Sequence, residues 1–212
     1  MSDPSKRDVT ISKALSYLLR HGAVKEGLTI DSLGYVPLNQ VLEHKRLKSL
    51  KATGQDVERI VANNDKKRFT LMTADDGQVQ ICANQGHSLK SVGDDNLQLV
   101  GTETVPYPKV LIHGTTKPKA ELIVKTGGLS KMNRNHVHFT DLENTVGKQV
   151  SGIRGFSTVL IYIDIDKFKK SGLHLYKSLN NVYLSPGNDQ GIVPSDLFQK
   201  IVDRSSGEAI LL

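Results

Sequence analysis

Five short stretches carry side chains able to do chemistry. The first is Leu18-Leu19-Arg20-His21-Gly22. It sets a guanidinium, a planar fork of donors suited to phosphate, beside an imidazole that can gain or lose a proton near neutral pH. The plainer reading is that these cations complement the negative end of a helix dipole. The second, Asp65-Lys66-Lys67-Arg68-Phe69, is a basic knot entering a strand, either a solvated turn or one that aims Arg68 into a groove. The third, Cys82-Ala83-Asn84-Gln85-Gly86-His87-Ser88, holds a lone histidine in a glycine-containing loop, where a structural role is the ordinary one. In the fourth, Leu111-Ile112-His113-Gly114-Thr115, a histidine ends an apolar strand, and Gly-Thr can offer N–H groups and a hydroxyl to a phosphate or ribose. The alternative there is a common strand-to-loop turn. In the fifth, Asn133-Arg134-Asn135-His136-Val137-His138-Phe139-Thr140, strand alternation puts His136 and His138 on one face and Val137 and Phe139 on the other. Two such histidines could take zinc, but no adjoining Cys or acidic pair completes a ligand set.

The elements that must position these residues are legible in outline. Ile11, Ala14, Leu15, Leu18 and Leu19 recur at helical spacing, with Thr10 as the expected N-cap and Gly22 as the stop. Gly34-Tyr35-Val36-Pro37 is a short extended piece leading into a helix through Leu38, Val41 and Leu42. A further helix fits 53–63, where Thr53 and Asp56 have capping-box spacing. Runs 68–72 and 78–83 flank Asp76-Gly77 and read as a hairpin. Three helices and a hairpin predict a winged-helix-like lobe over 1–92. Residues 93–108, with Gly93-Asp94-Asp95-Asn96 and Pro106-Tyr107-Pro108, read as a connection. Over 109–212, extended runs at 110–113, 137–140, 159–164 and 182–184 alternate with few helices, notably 119–125. The fold class expected is α+β, with a mostly β second lobe.

Composition narrows the partners. The 212 residues are 38% hydrophobic and 24% charged, within the globular range, and the net charge of +6 favours polyanions or simply a solvated surface. A single cysteine, Cys82, cannot close an internal disulfide, which suits a reducing compartment. Residues 1–6 are polar and no apolar segment of signal-peptide type follows. The longest strongly apolar run, Val159–Ile163, is far too short to span a bilayer. An intracellular protein, cytoplasmic and/or nuclear, without a membrane or evident protein partner, is expected.

Taken in order, Leu-Ser-Tyr-Leu-Leu-Arg-His at 15–21, Arg68-Phe69, Asn-Gln-Gly-His-Ser at 84–88, His113-Gly114-Thr115, Arg134-Asn135-His136-Val137-His138 and Ser-Leu-Asn-Asn-Val-Tyr-Leu at 178–184 form a specific set. From about Ile11 to the C-terminal strands the chain resembles the NAD-dependent tRNA/RNA 2′-phosphotransferase family, in its fungal form. The resemblance implies a winged-helix-like RNA-binding lobe followed by an ADP-ribosyltransferase-like, NAD-binding lobe, with the active site between them. It implies removal of the internal splice-junction 2′-phosphate from ligated tRNA, with release of nicotinamide and ADP-ribose 1″,2″-cyclic phosphate. It assigns Arg20, His21, Arg68 and Arg134 to catalysis, and His113, Gly114, Thr115, His138 and Arg154 to NAD. NAD is a co-substrate in this scheme and no metal is expected.

The chemistry agrees with those residue types. A phosphomonoester is largely dianionic at neutral pH and attacks the anomeric carbon of the nicotinamide riboside without a general base. The lack of a convincing counterpart to the glutamate of protein-modifying ADP-ribosyltransferases is then unsurprising. Two rivals share parts of the pattern: a non-enzymatic winged-helix nucleic-acid binder, and an ADP-ribosyltransferase that caps nucleic-acid ends and stops. The basic stretches Lys45-Arg46, Lys48, Lys51 and 66–68 make RNA affinity electrostatic in this reading. It should fall with salt at a log–log slope of roughly −0.7 per phosphate neutralised on single strands. A titration of binding against salt checks this, and a flat response would place those charges away from RNA.

Overall fold

The computed structural model describes residues 5–141, 153 and 155–210. The chain is mixed α/β, with six α-helices and several antiparallel sheets among the described residues, and divides into two compact units, Met1–Asn96 and Leu97–Leu212.

In the first unit, α1 (Lys6–Tyr17) starts one turn earlier than its apolar pattern predicts. Ser5 is the cap, accepting from the Asp8 N–H, while the Thr10 hydroxyl donates to the Lys6 carbonyl inside the helix. The first turn is polar except for Val9, so hydrophobic periodicity could not announce it, whereas a serine cap with an acid in the first turn suits the positive helix end. Ile11, Leu15, Leu18 and Leu19 are fully buried on its inner face. The helix widens into one π turn, Leu18–Gly22.

Next come β1 (Tyr35–Pro37), α2 (Leu38–Glu43), α3 (Lys45–Lys48) and α4 (Gly54–Ala62). The Thr53–Asp56 capping box forms as its spacing predicts. β2 (Phe69–Thr73) and β3 (Val79–Ala83) pair as the expected hairpin, its turn closed by Gly77 at φ 81°. β1 joins the free edge of β3, giving the order β1-β3-β2. Phe69, Ile81 and Ala83 close the same core as Leu15, Val41, Leu47 and Val57. Cys82 lies in that sheet, where burial pushes its thiol up to about 11.

In the second unit, β4 (Gln98–Leu99) lies within the stretch expected to be a connection and pairs with β9 (Tyr176–Lys177). β10 (Tyr183–Ser185) and β7 (Val137–Phe139) complete a four-stranded sheet, β4-β9-β10-β7. A second sheet runs β12 (Phe198–Asp203), β8 (Val159–Ile163), β5 (Ile112–Thr115). The central β8 has the near-continuous apolar sequence that burial on both faces requires. β6 (Gly128–Ser130) pairs with β11 (Ile192–Pro194), and α5 (Lys117–Lys125) and α6 (Ile165–Lys170) fill the crossings. Leu111, Phe139, Ile161 and Phe168 sit at the centre of the core, each fully buried. Among the described residues no helix is long and apolar enough to cross a membrane.

The first unit's helices are tied together by one carboxylate. Asp56, 7% exposed, accepts from Arg7 Nη1 and Nη2 at 2.9 Å each, from Arg59 Nη2 at 2.8 Å and from the Thr53 N–H at 3.0 Å. Arg59, in the last turn of α4, also bonds Asp8 at 2.8 Å, so both ends of α4 are tied to the first turn of α1. These donors hold the Asp56 carboxyl far below its ordinary 3.8, Arg7 contributing most. A depressed carboxylate stabilises the fold above its unfolded value and ceases to do so as pH falls through the folded one. Asp56→Ala should therefore cost about 2–3 kcal/mol at pH 7, the sum of a lost cap and lost charge-assisted bonds. The deficit relative to the parent should shrink as pH drops below about 4. Chemical denaturation of both proteins across pH 3–7 measures it.

Candidate active site

Arg20 and His21 stand on the π turn, a helix irregularity that is frequent at functional positions. The turn is braced on its inner side. The Tyr17 ring lies so close to Gly22 that a Cβ there would come within 2.7 Å of it. The Tyr17 hydroxyl donates to Glu26 Oε1 at 3.1 Å, and Arg46 covers the ring at 4.3 Å. His44 Nε2 donates to the other Glu26 oxygen at 3.0 Å, and these bonds, His44 first, hold the Glu26 carboxyl below its ordinary value.

From the other side the turn meets the segment 84–88. The Ser88 N–H donates to the Arg20 carbonyl at 2.9 Å, and Ser88 Oγ lies 2.9 Å from His21 Nδ1. Gly86, at φ 90°, faces the Arg20 side chain, with Cδ and Nε each 3.5 Å from where a Cβ would stand. The same segment reaches Arg68. The Asn84 N–H donates to the Arg68 carbonyl at 2.9 Å, its amide donates to the Lys67 carbonyl at 2.7 Å, and its Oδ1 accepts from Thr70. Three stretches far apart in sequence thus converge: the Arg-His turn, the basic knot and the Asn-Gln-Gly-His-Ser loop.

Arg68 is half-buried, and desolvation lowers its pKa below the ordinary guanidinium value without discharging it at neutral pH. Its guanidinium donates to Asn64 Oδ1 at 3.1 Å, a neutral acceptor, and among the described residues no carboxylate pairs with it. Such a cation is suited to an anionic ligand. The other basic stretches are partly committed. Lys48 pairs with Glu43 at 2.8 Å, and Lys45 and Arg46 lie 3.7 and 4.0 Å from Glu26.

In the second unit, reciprocal bonds between Ile112 and Thr140 bring β5 beside the end of β7. His113 Nδ1 lies 2.8 Å from the His138 carbonyl, and His138 Nδ1 3.1 Å from the His136 carbonyl. A carbonyl only accepts, so both rings carry the proton on Nδ1, and in the neutral form Nε2 is the acceptor. His-Gly-Thr lies wholly within β5, rather than running from strand into loop, because β8 pairs with it as far as Thr115. Gly114 is closely packed there. A Cβ would meet Ile153 and Ser157 at 3.1 Å. Arg134 closes a turn through its N–H to the Lys131 carbonyl, and its neighbour Met132 has φ 55° and is 79% exposed. His136 packs edge-on against Tyr176. Among the described residues no cluster of three His, Cys, Asp or Glu side chains could hold a metal. Arg154 lies outside the described residues.

Arg20, His21 and Arg68 are therefore gathered in one unit, and His113, Gly114, Thr115, Arg134 and His138 belong to the other. Comparison with known proteins spans both units. The model of the RNA 2′-phosphotransferase, Tpt1 / KptA family, matches residues 6–187. The chain belongs to this family. It is 48% identical over 200 residues to the tRNA 2′-phosphotransferase of Saccharomyces cerevisiae, covering 93% of this chain and 84% of that protein. To tRNA 2′-phosphotransferase 1 of Danio rerio it is 40% identical over 195 residues, 92% and 85% of the two chains. A probable RNA 2′-phosphotransferase of Trichormus variabilis is 37% identical over 179 residues, 84% of this chain and 91% of that protein.

Within this phosphotransferase chain, sequence reasoning gave no role to four supporting residues, Asn64, Asn84, Gly86 and Ser88. Asn84, Gly86 and Ser88 lie in the 84–88 stretch that stood out as a motif, whereas Asn64 carried no signal. All four act through contacts that no local spacing encodes. Gly86→Ala should cost about 1–2 kcal/mol, because an L side chain at this positive φ is strained, and should lower activity by shifting the loop seated on the Arg-His turn. Gly54→Ala, at a helix start where a Cβ meets nothing within 4 Å, should be neutral or stabilising. Melting curves and turnover of the two variants make the comparison.

Proposed function

We propose that the chain removes an internal 2′-phosphate from RNA, chiefly the splice-junction phosphate of ligated tRNA, by transferring it to NAD. Family membership over most of the chain carries this reading. In it the first unit is the winged-helix-like lobe that engages RNA, and the second an ADP-ribosyltransferase-like lobe that binds NAD.

Arg20, Arg68 and Arg134 hold the phosphate oxygens, which guanidinium forks fit in paired fashion. Support comes from the half-buried Arg68, whose described partner is neutral. His113, Gly114, Thr115, His138 and Arg154 hold NAD. The fixed tautomers of His113 and His138 suit this, since an Nε2 lone pair accepts from a ribose hydroxyl. In the first step a phosphate oxygen of the dianion bonds to the anomeric carbon as the bond to nicotinamide breaks, its electron pair leaving with neutral nicotinamide. In the second, the adjacent ribose hydroxyl attacks phosphorus and the RNA 2′-oxygen departs, taking up a proton, so that ADP-ribose 1″,2″-cyclic phosphate is released. His21 carries the proton. An arginine that grips the phosphate stabilises the attacking dianion too, which wastes part of its effect in step one. In step two, charge builds on the equatorial oxygens, and pre-placed donors favour the transition state.

Incubation with NAD and an internally 2′-phosphorylated oligonucleotide, with products weighed, tests the reading. Dephosphorylated RNA is expected, with turnover unaffected by chelator. A stable ADP-ribosyl adduct would favour the capping enzyme, and no reaction the simple binder. Alanine at Arg20, Arg68 or Arg134 should slow step two by about 10²–10³ and accumulate 2′-phospho-ADP-ribosylated RNA in rapid-quench time courses. His113→Ala should weaken NAD use and leave RNA affinity nearly intact. Variants that show no intermediate would assign the arginines to binding rather than phosphorus chemistry.

A further inference from the structure

We infer that Ser88 is the positioning residue of His21, holding Nδ1 through a hydroxyl that lets the ring change its proton at Nε2 without losing its support. The inference rests on the phosphotransferase reading for its kinetic consequence and on geometry for the rest.

Four histidines of this chain divide by the kind of group that holds Nδ1. His113 and His138 face backbone carbonyls, which only accept, and so keep the proton on Nδ1. His44 Nδ1 accepts from the Arg46 N–H at 3.3 Å, which only donates, and so keeps the proton on Nε2. When neutral, each is thereby confined to one tautomer, whichever its Nδ1 partner allows. His21 differs. Its Nδ1 lies 2.9 Å from Ser88 Oγ, and a hydroxyl both donates and accepts. With the proton on Nε2, the hydroxyl donates to Nδ1. With the proton on Nδ1, or with both nitrogens protonated, the hydroxyl turns and accepts. A proton taken at Nε2 from the attacking ribose hydroxyl, or given from Nε2 to the departing RNA 2′-oxygen, therefore leaves the Nδ1 contact in place.

Two further observations make Ser88 a clamp rather than a passing neighbour. Its N–H is bonded to the Arg20 carbonyl at 2.9 Å, so a single residue grips both members of the Arg-His turn, one through backbone and one through side chain. His21 itself is exposed, and the ring so held remains accessible to a substrate. Because the backbone bond survives truncation of the side chain, Ser88→Ala removes the hydroxyl while keeping the loop on the turn. Ser88→Thr restores a hydroxyl with the same two-way capacity.

The experiment uses the full chain with uniform ¹⁵N label and the two variants. Melting curves first establish that all three fold alike. Ring ¹⁵N shifts of His21, which separate the tautomers, should move in Ser88→Ala and return toward the parent values in Ser88→Thr, with those of His113 and His138 unchanged. With NAD and 2′-phosphorylated RNA, Ser88→Ala should lose roughly tenfold to a hundredfold in kcat, the scale of a small misplacement of a reacting group. KM for NAD should stay unchanged and Ser88→Thr should recover most of the loss. Unchanged His21 shifts in Ser88→Ala overturn the inference whatever the kinetics, as does a parent-like kcat in that variant, or a loss that threonine does not relieve. Should the parent protein itself leave the phosphorylated RNA untouched, the phosphotransferase reading falls, and the ring shifts still decide the clamp.

Discussion

Asp56 is a carboxylate nearly sealed from water between two guanidinium groups, and the geometry of the first unit depends on that pairing. Arg7 stands in the first turn of α1, and the π turn closes the same helix. Roughly 20 Å of helix separates Arg7 from Arg20 at 1.5 Å per residue. A small change of angle at the anchored end would sweep Arg20 and His21 through several ångströms at the other. Fixing that angle takes a bond that is short, directional and shielded from solvent. The three-way contact of Arg7, Arg59 and the Thr53 N–H with one carboxylate supplies all three properties. The apolar face of Ile11, Leu15, Leu18 and Leu19 holds the helix down, but such packing is not directional and sets orientation less sharply.

How much could be read beforehand followed the range of the interactions. The Thr53–Asp56 box and the hairpin turning at Gly77 are encoded within a few residues and appeared as expected. The start of α1 was missed because its first turn carries almost no apolar residue. β4, β6 and β9 are two or three residues long, too short for alternation to emerge, and owe their strand form to partners distant in sequence. The same holds at the candidate site. Arg20, His21 and Arg68 stood out by residue type, yet the contacts joining them run through Asn84, Gly86 and Ser88, tens of positions away. Arg-His beside a glycine is ambiguous by itself and is more plainly explained as the basic end of a helix.

The two units treat polar side chains differently. In the second, backbone carbonyls already committed to strands immobilise His113 and His138, and the immobility comes with the sheet. In the first, side-chain partners do the work: Glu26 steadies Tyr17 behind the π turn, Asn64 meets Arg68, and Ser88 meets His21. Charge is treated similarly. Lys45, Arg46 and Lys48 lie close to Glu26 or Glu43, so this basic stretch offers a polyanion less local positive charge than its residue count suggests.

Among the described residues, each unit has its own hydrophobic core drawn from one continuous stretch of chain, with no segment borrowed across the boundary near Asn96. During synthesis, residues 97–212 take roughly 6–23 s to add at 5–20 residues per second. Small domains commonly fold in milliseconds to seconds. The first unit can therefore close around Asp56, with the 84–88 loop already seated on the π turn, while the second is still being translated. The ribosome's vectorial order would thus spare Arg20 and Arg68 from exposure to the unfolded second half, whose aspartates and glutamates are potential non-native partners for an uncovered guanidinium.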